Sequence, residues 1–239
     1  MQLFPDIHLV DGVTCNVYVI VEPQGVTLID SGMSRGGKKI IAYLRTLGHD
    51  VGDIRRIVLT HQHVDHVGGA AALAAASGAE VIAPPTDTPA IEGRAPREVP
   101  RPLPLRLAFN LLLRWLRPVP VTRQVRAGET LPVLVGEGGL RVIETPGHTM
   151  GHISLYLPGR RLLFAGDAYR HHGGQVVAPP ALLNTDTPLA LRSLAALARL
   201  DVAASLPGHG APITTGAGAR IAGIAATATA GAAPQSRGR

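Results

Sequence analysis

The sequence predicts an α/β protein in which two β-sheets pack face to face and helices cover their outer faces. Short β-branched runs alternate with Ala- and Leu-rich segments that end in glycine, as strands and helices do. This order occurs twice, because each half of the chain begins with strands and carries its helices later. Hydrophobic residues make up 46% of the 239 residues, which suits one large domain with a sizeable core.

The first half of the chain contains a hairpin, two helices and two further strands. In chain order we expect strands at 16–23 and 25–32, a helix at 36–48, a strand at 54–60, a helix at 67–78 and a strand at 79–84. The helix at 36–48 illustrates the argument, since Ile40 and Leu44 fall on one helical face and Gly48 ends the pattern.

A proline- and arginine-rich insertion, residues 84–126, interrupts this pattern and holds eight of the arginines. Seven prolines between Pro84 and Pro104 exclude regular structure there. Segment 105–117 places its polar residues at helical spacing, so we expect an amphipathic helix with a wide apolar face. We expect the insertion to form a lid over the active site, with a homodimer contact and a membrane-surface element as the alternatives.

Strand patterns return after residue 129 in the runs LPVLVG, LRVIETPG, HISLYLPG and RLLFAGD, and a helix is expected at 188–200. We therefore assign residues 1–215 to one domain that includes the insertion. Residues 216–239 are rich in Ala and Gly, and we expect them to form a partly disordered C-terminal tail.

The net charge of +6 is compatible with anionic partners, but other features of the sequence exclude several classes. Aromatic residues make up only 3%, so the arginines lack the interleaved rings of a nucleic-acid platform, and we expect no nucleic-acid partner. No apolar run of about 18 residues predicts a membrane span, and the N-terminus has no signal-peptide pattern. Cys15 is the single cysteine, which excludes an intrachain disulfide and favours a cytoplasmic protein.

Potential metal ligands cluster at the ends of strand-like runs. They are His61, His63, Asp65 and His66 in "THQHVDH", His148 in "TPGHTMGH", Asp167 in "FAGD" and His209 in "PGHG". Imidazole and carboxylate groups suit Zn, Fe or Mn. One divalent ion takes about four ligands, so seven protein ligands with one shared carboxylate predict two ions.

These motifs, in this order, resemble those of the metallo-β-lactamase-fold superfamily, and "LIDSG" with Asp30 matches as well. The resemblance covers roughly residues 12–214 and implies a four-layer αββα sandwich with the metal site at one edge of the sheets. It implies that His61, His63 and His148 hold a first metal. It also implies that Asp65, His66 and His209 hold a second metal and that Asp167 bridges the two.

The resemblance further implies a hydrolase with two divalent ions, zinc first and Fe or Mn as alternatives, acting on a small-molecule ester, lactone or thioester. Asp65 would orient the nucleophile, and Tyr169 would hydrogen-bond the substrate as a lactonase tyrosine does. His152 belongs to the motif as a supporting residue, whereas His171 and His172 are expected to face either solvent or the cleft.

Two other enzymes of this fold stay open. A persulfide-dioxygenase-like enzyme would bind one iron through His61, His148 and Asp167, and a nuclease would use two metals on phosphodiesters. The glyoxalase II branch carries a helical C-terminal domain that binds glutathione. Only thirty residues follow His209, so we expect no such domain and no glutathione thioester as substrate.

Overall fold

The computed structural model describes residues 1–11, 13–98 and 116–231, together with Pro104, Leu107, Leu111 and Leu113. The strands are β1 (Gln2–Phe4), β2 (Ile7–Val10), β3 (Val17–Glu22), β4 (Gly25–Ile29), β5 (Ile54–Val58), β6 (Glu80–Ala83), β7 (Arg123–Gln124), β8 (Thr130–Leu131), β9 (Leu140–Glu144), β10 (Ile153–Leu157), β11 (Leu162–Gly166), β12 (Arg170–His172), β13 (Gln175–Val177) and β14 (Ala204–Pro207). The helices are α1 (Gly36–Thr46), α2 (Val64–Val67), α3 (Ala70–Ser77), α4 (Thr88–Ile91), α5 (Thr187–Leu197) and α6 (Ala217–Gly231).

The first sheet has seven strands in the sequential order β1 to β7. Strands β1 to β4 are antiparallel to their neighbours, and β4 to β7 run parallel. The predicted hairpin is confirmed as β3 and β4, with Val21 opposite Val26. Because β4, β5 and β6 are parallel, their carboxyl ends reach one edge of the sheet, where connecting loops can build a site.

The second sheet has five strands in the order β14, β11, β10, β9, β8. The outer pair, β11 and β14, is parallel, and the other pairs are antiparallel. A separate two-stranded ribbon, β12 with β13, follows β11. The carboxyl ends of β11 and β14 therefore also share one edge.

Three hydrophobic clusters define four layers. The central cluster lies between the sheets and includes Ile20, Val58 and Phe164. The neighbouring side chains on the same strands point outward, so Val19 and Ile57 pack with α1 and α3 on the first sheet. The helices α5 and α6 cover the second sheet through a third cluster. The predicted αββα sandwich is thus confirmed.

We expected residues 216–239 to form a partly disordered tail, but most of the segment, Ala217–Gly231, is the helix α6. Its residues Ala217, Ile221 and Ala225 are buried at helical spacing in the third cluster. The Ala-rich composition that suggested disorder suits a helix whose small side chains lie close against the sheet. Residues 232–239 lie outside the described part of the chain.

The insertion 84–126 contains two elements that we did not predict, the helix α4 and the edge strand β7, and part of it lies outside the described residues. The proline-rich start contains the short helix α4, because Pro89 occupies a first-turn position where its missing N–H costs no hydrogen bond. Most of the predicted helix 105–117 lies outside the described residues. Of those described, Leu107 and Leu111 are 60% and 61% exposed.

The predicted helix 67–78 begins earlier and divides into α2 and α3 at Gly68 and Gly69. A Cβ atom at Gly69 would lie 2.3 Å from the Ser31 carbonyl oxygen, so only glycine allows this approach between two loops. Among the described residues, no helix is long and apolar enough to cross a membrane.

Candidate metal centre

The candidate site lies at the edge where strands of both sheets end. The loops after β5, β9, β11 and β14 bring together all seven ligands that the motifs suggested, namely His61, His63, Asp65, His66, His148, Asp167 and His209. Loops can aim these side chains at one point because the strands beneath them form a rigid scaffold. Sequence separations of more than 140 residues are thereby reduced to contact distances.

Three groups of three donor residues form within this cluster; two of them share no residue, and the third combines His61, His66 and Asp167. The ligand atoms of His61, His63 and His148, the first triad, lie within 4.8 Å of one another. Those of Asp65, His66 and His209, the second triad, meet the same limit. Each triad leaves room for at least one further ligand around a four-coordinate ion.

Asp167 lies between the two triads. Its Oδ2 is 3.3 Å from Nε2 of His148 in the first triad and 3.4 Å from Nε2 of His209 in the second. Its Oδ1 is 3.4 Å from Nε2 of His66, also in the second triad. One carboxylate therefore contacts imidazoles from both groups.

Several buried donor atoms fit a metal ion and make no hydrogen bond within the described residues. Nε2 of His66, Nε2 of His148 and Oδ1 of Asp167 are shielded from solvent and have no hydrogen bond within the described chain. Buried polar atoms in proteins nearly always have a partner. A divalent ion would supply one, and imidazole with carboxylate is the donor set that zinc, iron and manganese accept.

Three candidate ligands, His61, His63 and Asp65, have pKa values that favour the protonation state in which such side chains bind a metal. Burial, reinforced by the neighbouring imidazoles, holds the pKa of His61 well below its usual range and lowers that of His63 to about 3. Burial alone would raise the pKa of Asp65, but His66 and His209 outweigh it and lower that pKa to about 2. These imidazoles are neutral and this carboxylate is ionised at neutral pH, as metal ligation requires.

His66 and His209 have the opposite tendency. Burial would lower the pKa of His66, but Cys15 and the carboxylates of Asp167 and Asp30 outweigh it and hold that pKa well above the usual range. His209 behaves in the same way. Burial would lower its pKa, but hydrogen bonds to Asp167 and Asp65 raise it to about 9. Burial would raise the pKa of Asp167, yet His66, His148 and His209 hold it well below the usual range. An ion that binds the second triad would therefore displace a proton from His209 at neutral pH.

Buried hydrogen bonds orient three of the imidazoles. The Asp30 carboxylate accepts from Nδ1 of His66 at 2.8 Å and from the backbone N–H of Thr60 at 2.8 Å. Asp30 adopts a left-handed backbone conformation with φ of 62°, a strain that proteins retain where position matters. Nδ1 of His61 lies 3.0 Å from Oγ1 of Thr60, and Nδ1 of His148 lies 3.0 Å from Oδ1 of Asn184. Such partners select the tautomer that leaves Nε2 free for metal.

His152 supports the centre without joining either triad. The backbone N–H of Asp167 donates to its Nε2 at 2.8 Å, so that nitrogen carries no proton. Its Nδ1 lies 2.7 Å from the Thr145 hydroxyl. Burial lowers the pKa of His152 to about 3, which keeps it neutral. We infer that it holds the loop of Asp167 in place, as its motif suggested.

Asp87 is a site-supporting residue that the sequence reasoning missed. It is completely buried at the start of the insertion and accepts four hydrogen bonds from the loops of His61 and His148. Burial raises its pKa. Its local sequence, TDTP, is an ordinary helix start, so no local signal pointed to the metal centre.

A cavity of about 160 Å³ opens onto the cluster, a volume equal to about five water molecules. Its lining consists of five ligands together with Tyr169, Arg170, Pro179, Pro180 and Leu183. Arg170 is the single Lys or Arg of this lining among the described residues. Its Nε is buried and has no hydrogen-bond partner in the part of the chain that the structure describes.

Tyr169 lines the cavity, but its hydroxyl, which we expected to hydrogen-bond the substrate, is bonded within the protein core. The side chain is 0% exposed, and the hydroxyl hydrogen-bonds the Ser205 side chain, which also donates to the Leu163 carbonyl. The phenol thus belongs to the cluster between the second sheet and its helices, and burial raises its pKa well above the usual range. Nδ1 of His171 donates to the Ala211 carbonyl, and His172 is exposed, so neither joins the triads.

Comparisons with known proteins agree with this geometry. The protein named Probable metallo-hydrolase YflN of Bacillus subtilis is 29% identical over 219 residues, which cover 83% of this chain and 81% of that protein. A hydroxyacylglutathione hydrolase of Cereibacter sphaeroides is 37% identical over 115 residues, 48% of this chain and 34% of the hydrolase. The match to the hydrolase thus spans about a third of its length.

A solved structure and a family model also match this chain. The crystal structure of a metallo-beta-lactamase family protein from Thermus thermophilus has a TM-score of 0.73 and 27% identity, over 96% of this chain and 81% of that one. The family model of the metallo-beta-lactamase superfamily matches residues 10–209, a span that contains both triads and Asp167. The chain therefore belongs to the metallo-beta-lactamase superfamily.

Proposed function

We propose that this protein binds two divalent ions, zinc in the first instance, and hydrolyses a small ester, lactone or thioester. His61, His63 and His148 would hold one ion, Asp65, His66 and His209 would hold the other, and Asp167 would be shared by both. The single observation that carries this proposal is the position of Asp167, whose two oxygens lie 3.3–3.4 Å from imidazoles of both triads. A site for one ion does not need the second triad.

Bound at this centre, two divalent ions would lower the pKa of a bound water and polarise the substrate carbonyl. Asp65 orients the attacking water as a hydrogen-bond acceptor, because it is ionised and its Oδ2 lies within 3.2 Å of His209. It then accepts the proton and returns it to the leaving oxygen or sulfur. Asp30, Asn184 and His152 keep the ligands in position and exclude alternative rotamers.

The cavity supports a small substrate with an anionic substituent. Its apolar wall of Pro179, Pro180 and Leu183 suits an acyl group. The guanidinium of Arg170, whose Nε makes no hydrogen bond within the described residues, suits a carboxylate. The hydrolase relative of Cereibacter sphaeroides makes a thioester a reasonable member of the test panel. The single cysteine, Cys15, suits a cytoplasmic setting.

Metal analysis of the purified protein, with hydrolysis assays on lactones, esters and thioesters, tests the proposal. We expect about two zinc ions per chain and turnover of at least one of these classes. We expect His63→Ala to lose one ion and all hydrolysis. A single iron with oxygen uptake, or cleavage of phosphodiesters alone, would replace the proposal with one of the two alternatives.

A further inference from the structure

The two loops that carry the first triad are joined by one buried carboxylate. Oδ2 of Asp87 accepts from the backbone N–H of Gln62 at 2.8 Å and from the Thr149 hydroxyl at 2.7 Å. Oδ1 accepts from Nε2 of Gln62 at 3.2 Å and from the backbone N–H of Gly151 at 2.9 Å. Each oxygen therefore binds one group from each loop. Gln62 lies between His61 and His63, and Thr149 directly follows His148.

The tetrapeptide that contains Asp87 occurs a second time in the chain. Comparison of the two copies shows that Asp87 lacks the usual helix-capping hydrogen bond. Residues 86–89 and 185–188 are both TDTP, and each begins a helix. Asp186 caps its helix in the ordinary way, by accepting from the Leu189 N–H at 2.8 Å. Asp87 makes no such bond to α4. Its carboxylate points instead to the ligand loops.

Neighbouring contacts restrict this arrangement to one geometry. A Cβ atom at Gly151 would lie 2.4 Å from Oδ1 of Asp87, so the loop of His148 approaches the carboxylate as closely as glycine allows. On the other side, the Glu98 N–H donates to Oε1 of Gln62 at 2.9 Å, and Arg97 donates to the Gln62 carbonyl. The Gln62 loop is thus held from both ends of segment 87–98.

We infer that Asp87 is a positioning residue that sets the spacing of the three first-triad imidazoles and hence the affinity of the first metal. It touches neither the ion nor the substrate and acts through Gln62, Thr149 and Gly151. The second triad has its own support in Asp30, so loss of the Asp87 carboxylate affects the two ions unequally. Loss of such an outer partner commonly lowers metal affinity about 10- to 100-fold. This inference rests on the proposed two-metal centre.

The test measures zinc and cobalt affinities of the full chain at both sites by titration against a competing chelator, together with the visible absorption of bound Co²⁺. We expect Asp87→Asn to weaken the first metal about 10- to 100-fold and to leave the second within about threefold of wild type. Its Co²⁺ spectrum should resemble that of His63→Ala and differ from that of His209→Ala. Asp186→Asn is the matched control, because asparagine caps a helix as well as aspartate and both affinities should be unchanged.

A second pair of variants covers the case in which Asp87→Asn does not fold. Thr149→Val removes one of the four hydrogen bonds and should weaken the first metal several-fold, whereas Thr149→Ser keeps the hydroxyl and should behave as wild type. Equal weakening of both metals, or wild-type affinities in Asp87→Asn and Thr149→Val, would overturn the inference. A wild-type protein that binds no metal would instead overturn the proposed function itself.

Discussion

The carboxylate of Asp30 accepts a hydrogen bond from Nδ1 of His66 at 2.8 Å, and both side chains are shielded from solvent. This bond places the proton of the imidazole on Nδ1 and leaves Nε2 directed at Asp167. In the Asp30→Asn variant, the side chain has only one carbonyl oxygen. It could not accept hydrogen bonds on both sides, as the Asp30 carboxylate does from Nδ1 of His66 and the backbone N–H of Thr60. We expect the second metal to bind about 10- to 100-fold more weakly, with the first metal affected less. Metal titration checks this, and unchanged affinity at the second triad would contradict it.

Substitution of Asp65 tests whether its carboxylate transfers protons in the proposed hydrolysis. Asp65→Asn removes the ionised oxygen near His209 and should lower kcat about 100-fold or more, since positioned bases contribute that much. The unfolding temperature of the variant should stay close to that of wild type. Asp11→Asn, on an exposed carboxylate, is the control. A kcat within a few-fold of wild type would exclude Asp65 as the base.

Arg170 tests the anionic part of the proposed substrate. Arg170→Gln should lower kcat/KM about 10- to 100-fold for an ester that carries a carboxylate, because a hydrogen bond to a charged group contributes about 1.5–3 kcal/mol. The matched neutral ester should be hydrolysed at the wild-type rate. Arg170→Lys keeps the positive charge but lacks the planar guanidinium. Its kcat/KM for the charged ester should lie between those of wild type and Arg170→Gln. Equal losses on both esters would show that Arg170 has no part in substrate choice.

The surroundings of Tyr169 predict that its hydroxyl stabilises the fold and takes no part in hydrolysis. Because its hydroxyl bonds Ser205 in the core, Tyr169→Phe should cost about 1 kcal/mol of stability and leave kcat/KM within about twofold of wild type. Urea unfolding and steady-state kinetics measure the two effects separately. A large loss of kcat with unchanged stability would restore the tyrosine to the reaction.

Asp6 and Arg160 form a pair whose contribution to stability depends on pH. Nη2 of Arg160 donates to Oδ2 of Asp6 at 2.7 Å. Burial would raise the pKa of Asp6, but Arg160 outweighs it and lowers that pKa in the folded state. The stabilisation is thus complete above the unfolded pKa of about 3.9 and is lost as pH falls through the lower folded value.

We accordingly expect Asp6→Asn to reduce the free energy of unfolding by about 1 kcal/mol at pH 7 and by progressively less below pH 4. Urea unfolding at several pH values provides the measurement. A difference that persists undiminished at acid pH would mean that the effect of the variant is not electrostatic. Metal content should be the same as in wild type, because neither residue contacts a ligand loop in the described structure.

Local sequence patterns were enough to select the candidate metal ligands and most of the strands. His61, His63, Asp65 and His66 stand within six residues of one another, and each of the other three candidate ligands follows a strand-like run and stands directly after a glycine. Residues such as Ile40 and Leu44 also predicted a helix from local sequence, because residues four apart lie on the same face of a helix.

The way in which distant segments meet depends on long-range packing, which local patterns do not encode. His148 and His209 approach Asp167 because β9, β11 and β14 belong to one sheet whose register no local pattern specifies. The same long-range packing turns Asp87 toward the ligand loops while Asp186, in an identical tetrapeptide, caps its helix. It also directs the Tyr169 hydroxyl to Ser205. A side chain's role follows from the partners that the completed fold brings to it, and such a partner can lie 36 residues away, as Ser205 does from Tyr169.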